Sequence, residues 1–270
     1  MPVTVRSFAE AGEAERALAG SRTARYFGGG TLIMRAVNAG DQSFDTIIRT
    51  TDLRLKQMEM RGDMLVIGAG VTMAGIIANR DAAFLAPVAR LIGGPAIRNM
   101  ATVGGNLFAE SPYGDFAAAL LALDAKVVPA NGQPVAIGDF LDSREREQGR
   151  IIIAVQVPRP REARAFRFLK VSRVKPKGIA LMSIAAHLPT QGGRVSGARI
   201  AYGAMGEKPV RALAVEQALE GRTLDEAGIA QALAVATDGL NPPTDSLASE
   251  WYRRSVAPVH LKRLLLDHRK

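Results

Sequence analysis

The feature that most constrains the fold of this 270-residue chain is residues 96–125, AIRNMATVGGNLFAESPYGDFAAALLALDA. The first half is polar and punctuated by glycine, with Asn99, Thr102, Gly104, Gly105 and Asn106, and the second half, beyond Asp115, is rich in Ala and Leu. A run that is apolar on every side has no face to show to water, so this order predicts a binding loop leading into a buried helix. Glycine leaves no Cβ between the main chain and a ligand, and successive N–H groups can then converge on an anion. Thr102 and Asn106 add a hydroxyl and an amide suited to phosphate or hydroxyl oxygens. On these residues alone, a hairpin turn whose glycines serve geometry is the competing reading.

A second cluster points the same way. Residues 25–35 read RYFGGGTLIMR, a short apolar strand, three glycines, a threonine and a run suited to a helix over 32–37 that ends near Gly40. Glycine-rich amides placed before a helix N-terminus gain the macrodipole's attraction for anions. Two phosphate-sized loops in one chain suggest a diphosphate. Gly68-Ala69-Gly70 raises the dinucleotide fingerprint and fails it, because Met73 stands in the third glycine's place, the next glycine is Gly75 and no acid follows at the expected spacing.

The string IRNMATVGGNLFAESPYGDFAAALLALDAKV resembles the second FAD motif of the flavin-binding subunits and domains of the molybdenum hydroxylases. These are the medium subunit of bacterial carbon monoxide dehydrogenase-like enzymes and the middle domain of xanthine dehydrogenase. GGGTLI resembles the first motif, LVIGAGVTMAGI resembles the strand–Gly–helix segment between them, and the resemblance covers nearly the whole chain. It implies an α+β fold: a two-part FAD-binding domain of the vanillyl-alcohol oxidase/PCMH type over 1–160, with parts at about 1–53 and 54–160. A smaller α+β domain of the CO dehydrogenase flavoprotein type, a three-stranded sheet with helices, follows over 165–270.

The resemblance also implies the cofactor's contacts. Backbone amides of the first motif, which hold the FAD pyrophosphate in the family, map to Phe27, Gly28, Gly29, Gly30, Thr31, Leu32 and Ile33; Leu32 replaces a usual acid and leaves the main-chain donors. In the second motif Thr102, Gly105 and Asn106 match phosphate- and ribityl-binding positions, with Ala101 and Gly104 in the same set. Asp115 matches an aspartate that bonds the cofactor, although as a residue it would also serve as N-cap of a helix over 116–123. Ile92 falls near the adenine, Ile152 beside the isoalloxazine ring and Lys170 near the flavin; read as residues, the two isoleucines are core and the lysine is surface. Two departures concern access to the flavin: Gly178 stands where an acid is common, and Ile179 where some members carry an aromatic. Residues 249–254, SEWYRR, resemble a Tyr-Arg element before the last helix, read as structural.

Composition removes several other functions. With no cysteine the chain cannot hold a disulfide, a thiolate zinc or an iron–sulfur cluster by itself, and His187, His260 and His268 show no metal-binding spacing. No run approaches the roughly 18–20 apolar residues of a membrane span. The N-terminus carries early acids and no long apolar core, so a cytoplasmic protein is expected. The net charge of +9 is uneven, with eight basic residues against the single acid Glu162 over 159–177. Such a run reads as solvated surface, or as a site for an acidic partner or anionic acceptor. Without stacking aromatics or a recognised motif, nucleic acid is not expected.

Elsewhere the patterns predict strands at 4–6, 46–49, 56–60, 64–67, 126–129, 134–137, 151–157, 166–172, 179–188 and 195–202. Helices are expected at 9–19, 72–78, 84–92, 211–219, 225–237 and 249–266, with capping boxes at Ser7/Glu10 and Thr223/Glu226. The function implied is an FAD-containing electron-transfer subunit. A molybdenum-cofactor large subunit would oxidise the substrate and a [2Fe–2S] small subunit would relay electrons, in a dimer of heterotrimers that reduces an external acceptor. No catalytic residue and no metal ligand are assigned to this chain. The rivals are a stand-alone flavin oxidoreductase of the same fold and a non-catalytic basic binding protein.

Overall fold

The computed structural model describes residues 3–162, 164–174 and 178–267. Packing divides the chain into two compact units. The first comprises Met1–Ala83, Gly94–Ala109 and Ala125–Pro158; the second comprises Phe84–Gly93, Glu110–Asp124 and Arg159–Lys270.

In the first unit, strands Thr4–Phe8, Thr46–Thr50 and Ala24–Tyr26 form a parallel sheet with Thr46–Thr50 in the middle. Helix Ala11–Ala19 closes it, burying Ala11, Ala14 and Leu18 against Ala24 and Ile48. The expected Ser7/Glu10 capping box does not form. Ser7 lies inside the first strand, opposite Arg49, and the amide of Ala11 instead donates to Asp52 Oδ2 at 3.1 Å. An antiparallel sheet follows, built from Met58–Arg61, Met64–Gly68, Ile152–Pro158, Lys126–Pro129 and Val135–Ala136 in that order. The Arg61-Gly62-Asp63 and Asn131-Gly132 turns close hairpins as expected, but residues 53–56 wind as a 3₁₀ turn, and helix Ile137–Ser143 takes over where a strand to residue 137 was expected.

The second unit is a sheet in the order Val210–Arg211, Arg199–Gly203, Met182–His187, Phe166–Val171. The three expected strands are present, and the two-residue strand Val210–Arg211 extends them to four. Gln191–Gly193 turns a separate small hairpin, so the strand expected from residue 195 begins only at Arg199. Strand alternation puts Met182, Ile184, Ala186, Ile200 and Tyr202 into a core with helices Leu213–Leu219, Ala230–Ala234 and Glu250–Leu265. The opposite face, with Phe168, Lys170, Ser183, Ala185 and Gly203, meets helices Ala86–Arg90 and Asp115–Ala122.

The second expected capping box, Thr223/Glu226, does not form either. Thr223 donates to Asp225 at 2.6 Å and Gly228 N–H donates to the same carboxylate, which makes a local turn, so the helix begins only at Ala230. Helix Glu250–Leu265 starts as predicted, with Ser249 Oγ accepting from the amide of Tyr252. Inside it Arg253 is fully buried, donating to both oxygens of Asp245 at 2.8 Å and to the carbonyls of Leu181 and Ala204. That pins the helix to the sheet and gives the 249–254 element the structural role expected of it.

Candidate cofactor site

In the first unit the two glycine loops lie against each other. A Cβ on Gly29 would fall inside the carbonyl of Met100, and one on Gly28 would stand 3.0 Å from Thr102 Oγ1. The first loop therefore runs so close to the second that only glycine fits. Among the described residues the N–H groups of residues 28–32 have no hydrogen-bond partner within the chain. They form a row of unpaired main-chain donors in a half-exposed loop, ahead of helix Ile33–Asn38. The chemistry of that donor set fits a diphosphate.

The second loop is built differently from the sequence expectation. Its amides are already paired: Val103 donates to Val71 O at 2.9 Å, Gly104 to Ala69 O at 2.8 Å, Gly105 to Thr102 Oγ1 at 3.1 Å and Asn106 to Thr102 O at 3.1 Å. Neither a hairpin turn nor a row of free donors is present. Thr102 instead caps helix Val103–Leu107, and its hydroxyl keeps one hydrogen to donate. Thr72 does the same for helix Met73–Ala78 through the amide of Gly75 at 3.1 Å, and Thr72 and Thr102 bridge one another. The repeated Thr-x-x-Gly spacing in 72–75 and 102–105 is the sequence signal for this arrangement.

Ala101, Thr102 and Asn106 are buried, Gly105 is exposed and Gly104 half-buried. Ile152 is a buried strand residue opposite Pro129, as the residue-level reading expected.

The second unit carries Ile92, Asp115 and Lys170. Ile92 is half-buried and follows the Ala86–Arg90 helix. Asp115 is not an N-cap: Gly114, in the left-handed region at φ 94°, takes that place, and Asp115 opens the helix with its carboxylate turned to Lys170. The Lys170 ammonium lies 2.7 Å from Asp115 Oδ2 and 3.0 Å from the carbonyl of Leu91. Their side chains are only 6% and 7% exposed, so Lys170 is not ordinary surface. Leu91 contributes through its main chain, which leaves no mark in a sequence. Gly178 donates to Val174 O at 2.7 Å, and Ile179 stays partly exposed. Lys175 and Lys177 of the basic run, and His268, lie outside the described residues.

Residues 2–160 match the family described as the FAD binding domain in molybdopterin dehydrogenase, and residues 167–268 match the CO dehydrogenase flavoprotein C-terminal domain. The chain belongs to this flavoprotein family. Two similar relatives are the glyceraldehyde dehydrogenase medium chain of Sulfolobus acidocaldarius and the carbon monoxide dehydrogenase medium chain of Afipia carboxidovorans. The first is 27% identical over 260 residues, covering 92% of this chain and 91% of that one. The second is 28% identical over 247 residues, covering 83% and 85%. Among solved structures, carbon monoxide dehydrogenase from Hydrogenophaga pseudoflava shares the fold with a TM-score of 0.90 at 24% identity, covering 98% of this chain and 96% of that one. As a member of the family the chain is an FAD-binding oxidoreductase component of mixed helix and sheet, with a C-terminal flavoprotein domain. Among the described residues no helix is long and apolar enough to cross a membrane.

Proposed function

We propose that this chain is the FAD-containing electron-transfer subunit of a molybdenum-cofactor dehydrogenase, taking electrons from the [2Fe–2S] clusters of a small partner subunit and passing them to an external acceptor. A large subunit with the molybdenum cofactor completes the complex in the cytoplasm, as a dimer of heterotrimers. The observation that carries the reading is the row of unpaired amides at residues 28–32, pressed against the Thr102 loop so closely that Gly29 admits no side chain. Phe27 to Ile33 would hold the diphosphate. Ala101, Thr102, Gly104, Gly105, Asn106 and Ile152 belong to the same cofactor's surroundings, and the resemblance adds Ile92, Asp115 and Lys170. FAD supplies the conversion between single electrons and electron pairs. This chain's residues bind and orient it and set the charge around it, and no side chain here is assigned to the organic substrate.

The test is to tag this chain in its native host, purify it, and identify the released cofactor and co-purifying chains. FAD at about one per chain together with an iron–sulfur and a molybdenum subunit is expected. A complex that forms without flavin would overturn the reading. FAD on a chain that oxidises a substrate by itself would favour a stand-alone flavoenzyme.

A further inference from the structure

The acid and the lysine of the second unit form one device. We propose that Asp115 acts through Lys170, as a positioning residue that holds the ammonium in place together with the carbonyl of Leu91. The proposal rests on the reading that Lys170 serves the flavin.

Three observations carry it. First, the carboxylate has no local duty: Gly114 occupies the N-cap, no side chain caps that helix, and Asp115 Oδ2 lies 2.7 Å from Lys170 Nζ. Second, the long lysine stem would sample many rotamers if it were free, yet two of its three ammonium hydrogens are engaged, by Asp115 and by Leu91 O at 3.0 Å. One hydrogen remains, in a fixed direction.

Third, among the described residues no carboxylate other than Asp115 pairs with Lys170. Helix Asp115–Ala122 has no second titratable side chain, and helix Ala86–Arg90 offers only the exposed Arg90. On the adjacent strand the residue opposite Lys170 is Ser183, whose hydroxyl is buried and finds no partner. His187 lies at the far end of the same sheet face, opposite Arg199, which pairs with Asp124. A buried ammonium with a single carboxylate partner loses its place when that carboxylate goes.

Two readouts on the full-length chain test this. In the chain stripped of flavin, acylation of individual lysines by an N-hydroxysuccinimide acetate is followed by mass spectrometry. Lys170 should be protected in the wild type and should react several-fold faster in Asp115→Asn, while the other lysines keep their rates; an unchanged Lys170 rate would overturn the proposal. In the FAD-loaded chain, Lys170→Met should lower the flavin midpoint potential, because a positive charge near a ring that gains electrons favours its reduced form. Asp115→Asn should lower it too, with no further drop in the double variant, and Asp115→Glu should restore part of the shift. If Asp115→Asn raises the potential equally with and without Lys170, the two charges act independently and the proposal fails. A wild-type chain that takes up no FAD would overturn the reading beneath it, while the acylation result still decides the pairing.

Discussion

At the scale of single residues, the glycines of the two loops look alike in the sequence and are held for different reasons. Gly29 is required by the protein itself, because the Met100 carbonyl fills the space of its Cβ. Gly105 is exposed, and among the described residues outside its own helix backbone the atom nearest its missing Cβ is Thr102 Oγ1, at 3.1 Å. Nothing in the fold forbids alanine there except a slight shift of that hydroxyl. Gly29→Ala should therefore lose about 1–3 kcal/mol of stability and its flavin together. Gly105→Ala should stay within about 1 kcal/mol of the wild type, since alanine also favours the helix, and yet bind FAD more weakly if the cofactor is what passes over that carbon. Denaturant melts set beside released-flavin assays separate the two. Full flavin occupancy in Gly105→Ala would remove Gly105 from the cofactor's surroundings. The two motifs were legible as strings, but the partners of their amides were not. Those of residues 103–106 are taken by Ala69, Val71 and Thr102, of which only the threonine is signalled nearby.

At the scale of elements, the misread start of the first helix has its cause elsewhere in the fold. Ser7 and Glu10 have the spacing of a capping box, but pairing of strand Thr4–Phe8 with Thr46–Thr50 claims Ser7, and Asp52 arrives from the far side of that pairing to receive the Ala11 amide. Asp52 is buried and also accepts from the Arg54 side chain and main chain. The Arg54 side-chain hydrogen bonds, then the Ala11 amide, outweigh burial and bring the Asp52 carboxyl down to about 2. The folded form thus holds the charged carboxylate more tightly than the unfolded chain does. Its stabilisation is complete above the ordinary carboxylate range near 4 and is lost as pH falls through about 2. Asp52→Asn should cost about 1–3 kcal/mol at pH 7, mostly through the Ala11 amide, because Arg54 itself is largely exposed. Urea midpoints measured from pH 7 downwards should converge with those of the wild type below about pH 4. A gap that stays constant to pH 2.5 would show that charge plays no part.

At the scale of the whole molecule, the division of the sequence and the division by packing differ. The two family matches are contiguous, at 2–160 and 167–268, whereas helices Ala86–Arg90 and Asp115–Ala122, from within the first match, pack in the unit that contains the second. One sign of this is readable: DFAAALLA has no polar face, so it had to be enclosed by something, and all eight of its residues are buried. What encloses it could not be read, because the small residues that admit it, Ala185, Ala201 and Gly203, lie some 60 or more positions further on. The helix covers the face of the sheet that carries Phe168 and Lys170, and Asp115 at its start is the partner of that lysine. A fragment of residues 159–270 would leave that face bare and Lys170 unpaired. Baring Phe166 and Phe168 at about 1.5–3 kcal/mol each removes a large share of the 5–15 kcal/mol that holds a typical domain together. The fragment should therefore lack near-ultraviolet circular dichroism and bind a hydrophobic dye, while the full chain does neither. A fragment with dispersed amide resonances and a cooperative melt would show that the four-stranded sheet and its three C-terminal helices suffice, and that the Asp115–Ala122 helix is lodged there without being needed.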